Sequence, residues 1–289
     1  SHRHFKPLSL MPASPVAAAA AAQSWTPLPY ADLPRYDAHS LLPHWPRLHA
    51  GHALPPPPSG HPLADGWALY HNGEFERAAA LGLAHGPEGL VLANQATAVY
   101  ANYLEPRESV RLSMFRQVIE RAGTQAGTEP DNCHALYWQA YALGRYSQGI
   151  SVARALAQGL GSKLKGALER VIELQPQHAD AHIALAAFHA EVVDKVGALV
   201  GRMTYGVRAE MSVELFERGL ELHPRSPSAL MEYGRALLML HGDARLGEAT
   251  QLYEKAAALK PADGKERLGV ELARAGQADR AAAWDPRVP

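Results

Sequence analysis

From Leu63 onward, apolar residues recur every three to four positions, the spacing of helices that bury one face. In "LKGALERVIEL" the apolar set Leu164, Ala167, Leu168, Val171 and Ile172 follows the offsets i, i+3, i+4, i+7, i+8. Ala249, Leu252, Tyr253, Ala256 and Ala257 repeat those offsets, with Glu and Arg or Lys on the opposite face in both stretches. The segments "GALERVIELQP" (166–176), "ELFERGLELHP" (214–224) and "QLYEKAAALKP" (251–261) are versions of one line. Each stops at a proline, which cannot continue a helix. One amphipathic hairpin cannot bury its own stripe, so repeated copies predict a stack that shares a continuous core.

The prolines are 48 and 37 residues apart, longer than a plain 34-residue unit. The last unit fits once its turn, "HGDARLGEA", takes three extra residues. Leu230, Tyr233, Gly234 and Leu237 lie on its first helix; Ala249, Tyr253, Ala256 and Pro261 follow on its second. This order resembles the tetratricopeptide pattern. The resemblance implies an all-α fold, an α-solenoid of helical hairpins in a right-handed superhelix, here with lengthened units. "GWALYHNGEFERA" (66–78) and "QAYALGRYSQG" (139–149) look like first helix, turn and start of the second, and "RLGVELARAGQADRAAAW" (267–284) like a closing unit. Helices at about 90–104 and 107–122 complete the prediction.

Residues 1–60 differ in texture, holding 12 of the 22 prolines and "PPPP" at 55–58. They read as an extended or disordered leader, residues 61–284 as the repeat domain, and 285–289 as a tail. Trp25, Tyr30, Tyr36 and Trp45 punctuate the leader, so a second reading makes it an arm lying on the body. The run "SPVAAAAAAQSW" (14–25) resembles a broken export signal. A cytoplasmic protein is expected, with a periplasmic or exported one as the alternative.

Two apolar, glycine-punctuated segments lengthen the middle units: "GISVARALAQGLG" (149–161) and "VGALVGRMTYG" (196–206). Ile150, Leu156, Leu160, Leu199, Val200, Met203 and Tyr205 are expected to be buried there. The run "WQAYALGRYSQGI", "SKLKGALERVIELQPQHADAHIALA", then "GRMTYG" before "SVELFERGLELHP", is similar to the regulator of microtubule dynamics family, in its bacterial-type relatives. That resemblance implies a tetratricopeptide-like domain without a catalytic signature. A fainter likeness is to periplasmic tetratricopeptide subunits of tripartite transporters.

Composition narrows the chemistry. Lys plus Arg number 28 against 29 Asp plus Glu, without the basic excess of a nucleic-acid binder. No run of about 18 apolar residues predicts an integral membrane segment. Cys133 is the only cysteine, and its neighbour His134 points about 100° away on a helix, so the two do not form a nucleophile–base pair. "GLGSKLKG" (159–166) lacks the Gly-Lys-Ser/Thr ending of a phosphate loop. No catalytic residue and no cofactor is expected. His178, His182 and His189 fall within a roughly 40° arc of one helix; metal binding there is the alternative to ordinary interior histidines.

The leading functional reading is a non-enzymatic scaffold that holds a peptide or protein partner in its concave groove. The tetratricopeptide resemblance puts Asp180, Ile183, Ala187, Glu191, Ser228, Met231, Arg235 and Leu238 along that groove, with Arg202 and Tyr205 contributed by the second insert. The alternative is a carrier of an apolar, lipid-like molecule roofed by the inserts, with Lys163, Lys165, Lys195 or Arg202 meeting a polar head.

Overall fold

The computed structural model describes residues 24–283, which contain helices and turns and, among the described residues, no strand. Most of the alanine-rich run and the segment 285–289 lie outside the described residues. After two short helices, α1 (Ala38–Leu41) and α2 (Trp45–Leu48), the chain forms five stacked hairpins. They are α3/α4 (Leu63–His71, Phe75–Ala84), α5/α6 (Leu90–Tyr103, Glu108–Thr128), α7/α9 (Cys133–Gln148, Leu160–Leu174), α10/α12 (Ala179–Val196, Ala209–Leu222) and α13/α14 (Pro227–His241, Leu246–Ala258). Helices α8 (Val152–Ala157) and α11 (Ala198–Tyr205) are the two inserts, and α15 (Gly264–Ala283) closes the stack. The fold is an all-α solenoid.

The repeated line ends as its proline dictates. Helix α9 stops at Leu174 and α12 at Leu222, and the residues before Pro176 and Pro224 are extended, with φ/ψ of −142°/85° at Gln175 and −141°/79° at His223. A proline ring disfavours the helical conformation in the residue before it. New helices start on side-chain caps: Asn132 accepts from Ala135 N at 3.1 Å and Ser226 from Ala229 N at 3.2 Å. Trp67, Phe75, Tyr100, Trp138, Leu168, Phe216 and Leu230 fill the space between layers.

The inserts depart from expectation. Leu199 is 71% exposed and Met203 78%, with Val200 and Leu156 also facing solvent; Ile150, Leu160 and Tyr205 are half-buried. Helix α11 adds a layer outside the stack, so only one side of it meets the body. Gly201 packs there, where a Cβ would lie 2.9 Å from Val207 Cγ2. Gly197 and Gly206 bracket the helix with φ of 86° and 68°, turns that side chains disfavour.

Residues 24–62 run along the body, from Tyr100 to Ala262 and Asp180. Trp25 stacks on Tyr100 at 4.4 Å, Trp45 is buried, and Tyr36 Oη donates to Ala262 O at 2.7 Å. Apolar rings spaced along a proline-rich segment bury surface without needing regular backbone hydrogen bonds. The arm also bridges the two ends of the stack: Arg47 donates to Glu266 at 3.0 and 3.4 Å. At the join, a Cβ on Gly264 would lie 3.0 Å from Gly73 Cα, closer than side chains ordinarily come.

Candidate functional site

A cleft opens where α7, α10, α13 and α15 face one another, with Tyr103 of α5 at its edge. It encloses about 110 Å³, room for a side chain rather than for a helix. Helical spacing builds each wall. Tyr137, Tyr141, Arg145 and Gln148 occupy one stripe of α7; Asp180, Ile183, Ala187 and Glu191 one stripe of α10. Ser228 and Glu232 come from α13 and Lys265 from the first turn of α15.

The charges form a connected set. Arg145 Nη2 donates to Glu232 Oε1 at 3.3 Å, and its guanidinium lies 5.3 Å from the Tyr141 ring centre. Gln148 Nε2 donates to Glu191 Oε1 at 2.8 Å, and Arg235 lies 3.6 Å from the same oxygen. His52 Nε2, from the arm, lies 2.8 Å from Asp180 Oδ2, while the Asp180 amide donates to Gly51 O at 2.9 Å. Burial would raise the Asp180 carboxyl, but His52, Lys265 and His223 outweigh it and hold the group well below the carboxylate range. Burial would likewise lower Lys265; Asp180 opposes it and keeps the ammonium charged above its ordinary value. Burial pushes the Tyr103 and Tyr137 hydroxyls upward.

Of the groove residues expected from sequence, Asp180, Ile183, Ala187, Glu191 and Ser228 line this cleft. Arg235 stands at its rim on Glu191. Met231 instead packs on the cluster of Leu230, Ala256 and Ala273, and Leu238 is half-buried outside the cleft. Arg202 points outward from α11, and Tyr205 meets Phe188 at 6.1 Å in a separate hollow beside Leu156 and Val196. The apolar side chains that a lipid carrier would need inside, Leu199, Val200 and Met203, face solvent.

The three histidines of the metal alternative do not converge. His178 Nδ1 accepts from Ala181 N at 3.1 Å, His182 Nδ1 lies 2.9 Å from His178 O, and His189 Nδ1 accepts from Arg208 N at 3.0 Å. Each imidazole serves a different backbone group, and among the described residues no cluster of metal-ligating side chains is assembled. No described helix is long and apolar enough to cross a membrane.

Sequence reasoning missed Tyr103, Tyr141, Arg145, Glu232 and Lys265. Tyr141, Arg145 and Gln148 stood at helical spacing inside "QAYALGRYSQG", a legible stripe. Lys265 carried no such signal, because only the return of α15 toward α3 brings it here.

No protein-family model matches the sequence, and no curated protein matches it. Among solved structures it is similar to TTC0263, a thermophilic tetratricopeptide protein of Thermus thermophilus, with a TM-score of 0.52 and 19% identity over 74% of this chain and 97% of that one. The likeness establishes a tetratricopeptide-like fold.

Proposed function

We propose that this chain is a non-enzymatic binding scaffold whose concave cleft holds one side chain or one end of a partner polypeptide. The observation that carries this reading is the convergence of inward stripes from three successive first helices on one aromatic-walled cleft. The arm already covers Asp180 through Gly51 and His52, so the remaining space suits a short segment, not a long extended peptide. The order of hairpins and the "GRMTYG" insert supports a finer reading, a bacterial-type relative of the regulator of microtubule dynamics family.

The test is selection of short peptides on the immobilised protein, followed by calorimetry of the enriched sequences. Ala187→Trp fills the cleft from α10 and is expected to weaken those peptides at least about tenfold, with the far-ultraviolet spectrum unchanged. Peptides that bind the variant as well as the parent protein would refute the site.

A further inference from the structure

Every carboxylate in the cleft has a partner of its own. Glu232 accepts from Arg145, Glu191 from Gln148, and Asp180 lies against His52. Lys265 does not: among the described residues nothing makes a hydrogen bond or a close ion pair with its ammonium. The side chain nevertheless lines the cleft, with Asp180, Tyr70, Tyr103 and Tyr141 as its electrostatic neighbours. Lys265 is half-buried and its ammonium is not among the fully buried unpartnered groups, so its donors face the water of the cleft and an entering acceptor takes the place of that water.

Lys265 is also held in position on both sides. Asp263 Oδ2 lies 2.7 Å from His71 Nδ1 and its Oδ1 accepts from Glu266 N at 2.8 Å. Glu266 is gripped in turn by Arg47. The closure of the stack therefore fixes the backbone that carries the one cleft cation without an acceptor, and a pre-positioned donor binds at lower entropic cost.

We propose that the cleft takes a monocarboxylate attached to a flat apolar body, the carboxylate on Lys265 and the body against the rings of Tyr103 and Tyr141. A doubly charged phosphate fits less well, since three carboxylates stand around a single available cation. A cationic group fits poorly too, because Arg145 already covers Tyr141 and donates to Glu232. This inference rests on the cleft being the binding site. The carboxylate could belong to a free small molecule or to the last residue of a peptide, and the experiment separates the two.

The experiment is calorimetric titration of the full chain with benzoate, benzamide, N-acetylphenylalanine and N-acetylphenylalaninamide. Benzoate is expected to bind about tenfold tighter than benzamide. Lys265→Met erases the difference, and Lys265→Arg, which keeps the charge, retains it. N-acetylphenylalanine exceeding its amide assigns the carboxylate to a peptide end; a preference confined to benzoate assigns it to a free molecule. Equal binding of acid and amide in the parent protein, or a preference that survives Lys265→Met, overturns the role of Lys265. Binding of no probe, or binding indifferent to Ala187→Trp, overturns the cleft reading itself.

Discussion

His71 and Asp263, 192 residues apart in the chain, meet with Nδ1 and Oδ2 2.7 Å apart in the buried join between the first hairpin and the last helix. On its other side, His71 Nε2 lies 2.9 Å from His49 Nε2 of the arm. Three segments remote in sequence are thus tied by one imidazole. A solenoid is ordinarily held only by contacts between neighbouring repeats; here a long-range polar link joins its ends.

Asp263→Ala removes that link and strands two buried imidazoles. A loss of about 3 kcal/mol is expected, by analogy with breaking one side of a buried polar pair. Urea unfolding measures it, and a change near zero would show that the ends are held by other contacts.

Acid is expected to destabilise the fold. Burial holds the His49 and His178 imidazoles well below their ordinary value, and holds His134 at about 4. In the unfolded chain a histidine titrates near about 6.5. The unfolded state therefore binds more protons, and stability is full above about pH 6.5 and falls as the pH drops toward 4. Asp180, whose folded value is also lowered, adds a further loss below about pH 4. Urea midpoints between pH 7.5 and 4.5 test the sign. His134→Gln flattens the slope; a stability that rises on acidification contradicts the assignment.

The arm is expected to be an integral part of the fold. Trp45 is 3% exposed, donates through Nε1 to Leu54 O at 2.7 Å and stacks on His49 at 3.8 Å. Trp45→Ala should cost roughly 3–5 kcal/mol and open residues 46–60 to proteolysis. A protease map identical to that of the parent protein would speak against this packing.

The outer face of α11 carries the opposite expectation. Leu199→Gln combined with Met203→Gln should change stability by less than about 0.5 kcal/mol, because neither side chain leaves water on folding. Binding of an apolar dye should fall. A large destabilisation would mean that these residues are buried in solution.

The repeat was legible because its causes are local. Apolar offsets in "LKGALERVIEL" and the prolines at 176, 224 and 261 act within a few residues, and they determined helix, hairpin and stack without reference to the rest of the chain. The tetratricopeptide resemblance, not the periodicity, placed Asp180, Ile183, Ala187 and Glu191 on one stripe, and all four line the cleft. Hydropathy overreached at Leu199 and Met203, since it registers a side chain's preference for burial but not whether a neighbour arrives to cover it. The tertiary structure alone decided that the arm reaches Asp180, that Asp263 reaches His71, and that Lys265 enters the cleft. Those contacts depend on the accumulated rotation of five hairpins, a sum of small packing angles that no short window of residues encodes.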